Sequence, residues 1–104
     1  MRIVPHVEAE EEIRAAFDYY EQAAPNLGRD FLDELQTGAG DIARRPETWP
    51  RIGRSGARRY LLRRFPFALI YATDDDEILL IAAMHLKRRP FYWRKRLGDS
   101  PFKK

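Results

Sequence analysis

The residues best suited to chemistry follow the last apolar run of the chain: His85, Arg89 and Tyr92. Metal-free RNA cleavage needs a base that activates a 2′-hydroxyl, cations that stabilise a charged phosphorane, and an acid that protonates the leaving oxygen. Arginine has a pKa of about 12 or higher and cannot serve as the base. Proton transfer would therefore fall to His85 or to a Tyr92 with a shifted pKa.

His85 also has a purely structural interpretation. Strict alternation along the last strand would place it on the same face as Leu79, Ile81 and Ala83, where it could be a packed, hydrogen-bonded imidazole. The other histidine, His6, ends a short extended segment, where a structural role is the more frequent one. The sequence has no glycine-rich phosphate loop, no histidine–glutamate metal motif and no nucleophile elbow. We therefore assign no catalytic residue and keep the three residues above as candidates only.

A β-hairpin must position these residues. Two apolar runs, Phe65 to Ala72 and Ile78 to Leu86, are rich in aromatic and β-branched residues and too short for a typical helix, so each predicts a strand. The run Asp74-Asp75-Asp76 between them predicts a tight reversal, because three unpaired carboxylates cannot be buried. Both strands are apolar on both faces, which predicts that they are central and covered on both sides.

Two further strands are predicted, from Ala57 to Arg64 and from Arg2 to His6, with Pro66 in a connection. Two amphipathic segments, Glu8 to Ala23 and Leu27 to about Arg44, predict helices. Because the connector between them is short, we expect an antiparallel helical hairpin whose apolar face covers one face of the sheet.

Details of the helices follow from single residues. Asn26 is the expected N-cap of the second helix. The glutamates at positions 8, 10, 11 and 12 are expected to stabilise the start of the first helix through its dipole, not to bind a metal. Gly38 and Gly40 each weaken the second helix by about 1 kcal/mol relative to Ala, so its last turns should fray or allow close approach. Pro90 predicts the first turn of a short C-terminal helix, and Gly98 to Lys104 a frayed tail.

Composition limits the number of domains, the kinds of cysteine site and the cellular location that the sequence allows. The 104 residues predict one domain, 1–104, with a modest core. The absence of cysteine excludes disulfides and thiolate zinc sites and fits a reducing cytoplasm. No apolar run approaches the roughly 20 residues that span a bilayer, and no signal-peptide core is present, so we expect a cytoplasmic protein without membrane contact.

The two halves of the chain carry opposite charge. Residues 1–50 contain 5 Lys/Arg and 11 Asp/Glu, a net charge of −6, whereas residues 51–104 contain 14 and 5, a net charge of +9. A basic half of this strength indicates an anionic partner, either nucleic acid or an acidic protein segment. A solvated basic surface without a partner is the alternative.

The order of elements and several local motifs together resemble the RelE/ParE superfamily, the toxins of type II toxin–antitoxin (plasmid-stabilisation) systems. The matching residues span nearly the whole chain: Tyr19-Tyr20-Glu21, Leu27 to Leu35, Ile42 with Pro46, Trp49-Pro50, Arg64 to Tyr71, His85, Arg88-Arg89-Pro90 and Tyr92-Trp93. The resemblance implies an α+β fold of βααβββ order, with the helical hairpin packed on a small, mainly antiparallel sheet and a short C-terminal helix.

The superfamily has two activities. RelE-like members cut mRNA on the ribosome with basic residues and a terminal tyrosine, and ParE-like members inhibit DNA gyrase without a nuclease site. In the nuclease branch an arginine follows the first aromatic residue of the strand that holds Phe67, where this chain has Ala68. The preceding strand carries Arg59 and Leu61 in place of alternating lysines, and Pro90 changes the spacing of the C-terminal arginine and tyrosine. The resemblance is therefore closer to the ParE-like branch.

Three hypotheses follow. The first is a growth-inhibiting toxin that binds DNA gyrase, needs no cofactor or metal, and forms a hetero-oligomer with a cognate antitoxin. The second is a ribosome-dependent endoribonuclease that uses the three candidates above, and the third is a non-toxic basic nucleic-acid-binding domain. For the first, the residues expected to bind the target or the antitoxin are Arg58, Arg59, Arg63, Arg64, Lys87, Arg88, Arg89, Trp93 and Arg94.

Overall fold

The computed structural model describes residues 1–98. Two helices and four strands precede a short 3-10 helix, in the order β1 (Arg2–Pro5), α1 (Val7–Ala23), α2 (Leu27–Arg44), β2 (Arg58–Leu61), β3 (Phe67–Asp74), β4 (Glu77–His85) and the 3-10 helix Arg94–Gly98. The predicted α+β architecture is confirmed. Of the predicted tail, all residues after Gly98 lie outside the described part.

The predicted C-terminal helix is corrected in type and position. Residues 90–93 form turns, and the helix that follows them is a 3-10 helix of five residues. Phe91 has a φ of 62°, in the left-handed region, so a right-handed helix cannot run through it from Pro90.

The four strands form one sheet in the order β1-β4-β3-β2. β1 runs parallel to β4, and the other two pairs are antiparallel. Asp74 pairs with Glu77, so Asp75 and Asp76 alone make the reversal, and Asp75 adopts a φ of 50° that aspartate tolerates better than most residues. The predicted hairpin is therefore confirmed, with β3 and β4 at the centre of the sheet.

A β-bulge interrupts the central ladder. Ile70 pairs with Ala82 and Tyr71 with Leu80, which leaves Ile81 without a partner on β3. One extra residue reverses the direction of every side chain beyond it. Accordingly, Leu80 and Ala83 face the same hydrophobic cluster although three positions separate them.

Apolar side chains cover both faces of the central strands, as the sequence predicts. On one face the helices pack on the cluster that contains Phe31, Ile42, Phe67 and Leu69. On the opposite face, side chains from the 50–57 loop and from the C-terminal segment pack on Ile70 and its neighbours, and among them Trp93 is 1% exposed. The second layer is thus built from a loop and the short C-terminal segment, without an α-helix among residues 1–98.

Close contact between the two helices depends on Gly28. A Cβ there would lie 2.8 Å from the ring of Phe17 and 2.8 Å from its carbonyl oxygen. Asn26 holds the N-cap position in a left-handed conformation, but its side chain makes no capping bond. Glu21 of α1 does so from a distance, since its carboxylate accepts the N–H groups of Asn26 at 3.2 Å and Gly28 at 3.0 Å. The predicted N-cap position of Asn26 is confirmed, but the side chain that caps the helix belongs to Glu21.

Gly38 provides the close approach predicted for the end of α2. A Cβ at this position would lie 2.8 Å from the Tyr60 ring, which also packs on Trp49 at 4.8 Å between centroids. The Tyr60 hydroxyl donates to Asp41 on the same helix at 2.8 Å. This hydrogen bond holds α2 against the edge strand β2. Burial and the carboxylate raise the pKa of Tyr60 to about 12.

Candidate interaction site at the end of the sheet

The two histidines have different surroundings. His6 is buried and caps α1, because its Nδ1 accepts the N–H of Glu8 at 3.0 Å. His85 is half-buried at the end of β4, and its Nδ1 accepts the N–H of Lys87 at 3.0 Å. The structural interpretation therefore holds for His6, whereas His85 keeps Nε2 for another partner.

The predicted face of His85 is wrong. Strict alternation placed it with Leu79 and Ile81, but those residues belong to the cluster on the opposite face. The bulge at Ile81 turns the end of β4 over, so His85 lies on the helix side against Phe67, with ring centroids 5.1 Å apart. Its imidazole therefore faces α1.

A cleft of about 380 Å³ lies between α1 and this end of the sheet. Most of its lining is apolar or aromatic, and Tyr19 at its rim is 69% exposed. Three polar groups line it as well, from Glu12, His85 and Arg88. The cleft can therefore take an apolar side chain and also offers a cation and an imidazole for hydrogen bonding.

Glu12 connects α1 to the C-terminal segment. Its carboxylate accepts the Tyr92 hydroxyl at 2.6 Å, two Arg96 nitrogens at 3.0 and 2.9 Å, and the Ala83 N–H at 3.0 Å. Glu8, one turn earlier on the helix, adds an ion pair to Arg96 at 3.0 Å. Two of the four glutamates expected to act through the helix dipole thus bind a specific arginine.

Glu12 and Arg96 also form hydrogen bonds with backbone groups that the bulge leaves unpaired. Arg96 donates to the carbonyl of the unpaired Ile81 at 3.1 Å, and Glu12 accepts the N–H of Ala83. An unpaired buried backbone group is costly, so these side chains stabilise the bulge. The orientation of His85 consequently depends on residues more than 70 positions earlier and about 10 later.

The environment of Tyr92 opposes its use as a proton-transfer base. Burial and then the Glu12 carboxylate raise the pKa of Tyr92 above its ordinary value of 10, more than the nearby Arg96 and Arg88 lower it. For Arg96, burial would lower the pKa, but the bonds and charge of Glu12 outweigh it and raise the pKa. The Tyr92 phenol therefore stays protonated and donates to Glu12.

The structure brings only part of the candidate catalytic set together. His85 and Arg88 line the same cleft, and the Arg88 guanidinium lies 3.9 Å from the centre of the Tyr92 ring. Arg89 is exposed and does not line that cleft. His85, Arg89 and Tyr92 therefore do not form one concave site in residues 1–98.

The predicted binding residues separate into accessible and structural ones. Arg59, Arg63, Arg64, Lys87, Arg88, Arg89 and Arg94 are exposed. Two of these are nevertheless held in place: Glu34 accepts the backbone N–H groups of Arg63 and Arg64, and Arg64 also pairs with Asp30 at 3.5 Å. The exposed cations are spread over both faces of the sheet and its rim.

One predicted binding residue is buried, and another also has a structural role. Trp93 is a core residue on the face opposite the helices, so its ring is not accessible to a partner. Arg58 is partly buried and donates to the carbonyl oxygens of Trp49 at 2.7 Å and Glu47 at 3.3 Å. Its first role is to fix the loop that follows α2.

Sequence reasoning missed Glu12 and Arg96. The available signal was the i, i+4 spacing of Glu8 and Glu12, which lie on one side of the helix, together with an arginine in an aromatic C-terminal segment. Within residues 1–98 no group of three or more histidine or carboxylate side chains is arranged to hold a metal ion. No helix in that range combines the length and the apolar character that crossing a bilayer requires.

Comparisons with known proteins agree with the fold. The structure is similar to that of a chromosomal ParDE toxin–antitoxin system from P. aeruginosa, with a TM-score of 0.73, 16% sequence identity, and coverage of 84% of this chain and 97% of that one. A comparison with curated protein sequences gives no significant match. The model of the ParE toxin family of type II toxin–antitoxin systems (parDE) matches residues 3–90. The chain therefore belongs to the ParE toxin family.

Proposed function

We propose that this toxin acts in the cytoplasm by binding DNA gyrase, without cleaving RNA, and that a cognate antitoxin neutralises it. Membership of the ParE family supports the choice of target. The observation that carries the distinction from a nuclease is the state of Tyr92, whose phenol donates to Glu12 at 2.6 Å and has a raised pKa. A tyrosine held in this way is a structural donor and not a general base.

The arginines support binding better than catalysis. Metal-free RNA cleavage needs cations that converge on one phosphate next to a base. Here Arg88 stacks on Tyr92, Arg94 lies 5.5 Å from the ring centre of Phe91, and Arg59 is exposed on β2. Dispersed cations beside aromatic rings are typical of a protein interface.

The cleft beside α1 is the proposed docking point for the antitoxin. Most of its lining is apolar or aromatic, and Arg88 adds a positive charge. A segment that inserts an apolar side chain and places a carboxylate near Arg88 would match both features. Residues 51–104 carry a net charge of +9, so acidic residues flanking that segment would be attracted to the toxin.

Two assays on the purified toxin test the target. We expect inhibition of DNA supercoiling by gyrase and no new mRNA ends in a translating extract. His85→Ala should leave gyrase inhibition unchanged, because the imidazole has no part in the proposed activity. New mRNA ends that disappear in His85→Ala and Tyr92→Phe together would identify the endoribonuclease instead, and the proposal would be withdrawn.

Charge reversal tests the antitoxin interface. Arg88→Glu, at the cleft, and Arg89→Glu, at the next position, change exposed residues, and each should weaken the complex by about 1 to 3 kcal/mol, since it replaces an attractive pair with a repulsive one. Arg29→Glu, on the exposed side of α2, is the matched control and should change the affinity little. Isothermal titration with the antitoxin gives the values, and equal losses in all three variants would argue for general charge attraction only.

A further inference from the structure

A second, polar cleft lies at the opposite corner of the molecule, between the loop that follows α2 and the end of β3. Its volume is about 490 Å³, and three arginines and one carboxylate, Arg51, Arg54, Arg58 and Glu47, contribute to its lining. The charged groups therefore carry a net charge of +2. The antitoxin-binding and catalytic hypotheses above make no use of Arg51 and Arg54.

Backbone pairing brings two of these arginines together. Arg51 and Arg58 are partners in an isolated antiparallel bridge, which places their side chains next to each other. Arg58 is already oriented, since its guanidinium donates to the carbonyl of Trp49 at 2.7 Å. Arg54 follows Gly53 in the same loop, and Gly53 has a φ of 53° that favours glycine.

Arg51 and Arg54 differ from Arg64 and Arg96, two other arginines of the basic half, in lacking carboxylate partners among residues 1–98. Arg64 pairs with Asp30, and Arg96 pairs with Glu8 and Glu12. Among residues 1–98, neither Arg51 nor Arg54 makes an ion pair, and both are exposed. Three arginines against the one carboxylate of Glu47 leave an excess of positive charge in the cleft, and a bound anion would reduce the repulsion between the guanidinium groups.

We propose that this arginine cleft binds the phosphate backbone of duplex DNA. Arginine presents planar, bidentate donors that match phosphate oxygens. Within residues 1–98 no aromatic side chain lines the cleft, whereas single-stranded nucleic acids are held largely by stacking on aromatic rings. The lining is polar, so it also lacks the apolar anchors that a peptide would need. The inference goes beyond the proposed gyrase binding and does not depend on it.

Fluorescence anisotropy with a labelled DNA duplex of about two helical turns tests the proposal. Affinity should fall with salt along a straight log–log line, because bound arginines release condensed counterions. The double variant Arg51→Gln/Arg54→Gln should bind roughly tenfold or more weakly and reduce the slope by about 2. Arg58 is left intact because it also fixes the loop.

The control has the same change in net charge away from the cleft. Arg14→Gln/Arg29→Gln alters exposed residues of α1 and α2, and its affinity and slope should stay close to those of the parent. Equal losses in both double variants would show general charge attraction and overturn the proposal, as would no duplex binding at low salt. Tighter binding of a single strand of the same sequence would overturn the duplex assignment.

Inorganic phosphate at matched ionic strength separates the two possible sources of the anion. If the cleft binds the DNA backbone, phosphate should compete no better than chloride, since duplex binding depends on several linked contacts. Displacement of DNA by micromolar phosphate would identify a free-anion site and overturn the proposal. Unfolding midpoints of both double variants that are no lower than that of the parent confirm that the affinities compare folded proteins.

Discussion

The arginines at opposite ends of the sheet differ in what surrounds them: Arg96 lies at one end, and Arg51 and Arg54 form the group at the other. Arg96 has a side chain that is 9% exposed and is bound by Glu8, Glu12 and the carbonyl of Ile81. Arg51 and Arg54 are exposed and have no ion pair in the described part of the chain. Both groups come from the same basic half, so net charge alone does not distinguish them.

The comparison indicates that carboxylate partners, more than the number of cations, decide whether an arginine stabilises the fold or stays exposed and able to bind an anion. Burying a guanidinium costs several kcal/mol unless a carboxylate and further acceptors replace water. Arg96 meets that condition and holds the C-terminal segment on α1. Arg51 and Arg54 remain hydrated and can exchange water for an external anion at little cost.

Among the changes that test this comparison, removing Glu12 should cause the largest loss in the free energy of unfolding. Glu12→Ala leaves the buried Arg96 charge, the Tyr92 hydroxyl and the Ala83 N–H without their common partner. The free energy of unfolding should fall by about 4 kcal/mol, a large part of the roughly 5 to 15 kcal/mol expected for a domain. Urea denaturation provides the measurement.

Two variants control for this loss. Glu11→Ala removes an exposed carboxylate from the same helix and should change stability by less than about 0.5 kcal/mol. Glu12→Gln/Arg96→Met keeps an acceptor for Tyr92 and removes the buried charge, so it should lose less than Glu12→Ala alone. A double variant as unstable as Glu12→Ala would mean that the charge pair is not what holds the segment.

High pH should weaken the fold at two places, the contact of Tyr92 with Glu12 and the contact of Tyr60 with Asp41. Tyr92 and Tyr60 have raised pKa values in the folded state, that of Tyr60 being about 12, because burial and a carboxylate oppose ionisation. Their contribution to stability is complete below the unfolded pKa of about 10 and is lost as the pH rises through the folded value. The free energy of unfolding should therefore decline above about pH 10.

Phenylalanine variants test whether Tyr92 and Tyr60 cause this decline in stability. Tyr92→Phe and Tyr60→Phe should each lose about 1 kcal/mol near neutral pH, since each removes a hydrogen bond, and each should show a shallower decline at high pH than the parent. Urea denaturation across the alkaline range gives the curves. Curves parallel to the parent would show that these phenols do not cause the pH dependence.

The sequence predicted the parts of this arrangement that depend on neighbouring residues. The β3–β4 hairpin follows from two apolar runs around an aspartate turn, and the observed strands differ from the predicted ones by one or two residues at most ends. The order strand, helix, helix, strand was also predictable, since each element carries its own periodicity. Local signals of this kind do not require knowledge of the fold.

The unpredicted parts depend on contacts between distant residues. The bulge at Ile81 is stabilised by Glu12 and Arg96, and no local pattern at positions 80–83 reveals an extra residue. His85 was consequently placed on the wrong face. The side-chain cap on α2 comes from Glu21 on the preceding helix, and Trp93 is buried by residues from the 50–57 loop and the sheet.

Replacing Arg58 should have an intermediate effect on the free energy of unfolding, because this arginine has features of both groups. Its guanidinium donates to the carbonyls of Trp49 and Glu47, yet it also lines the polar cleft. Arg58→Gln should lower the free energy of unfolding by about 1 to 2 kcal/mol through the lost charged hydrogen bonds. The matched change Arg59→Gln, one residue along and exposed, should have less effect. Equal effects would mean that Arg58, like Arg51 and Arg54, contributes little to stability.

The smallest expected effect on stability is at Arg51 and Arg54. Neither side chain makes an ion pair within residues 1–98, so Arg51→Gln and Arg54→Gln should each change the free energy of unfolding by less than about 0.5 kcal/mol. The double variant should be slightly more stable than the parent, since it removes repulsion between neighbouring cations. Urea denaturation at low salt makes that gain largest. A loss of more than about 1 kcal/mol would mean that these arginines support the loop, and any weaker DNA binding would then reflect a disturbed fold.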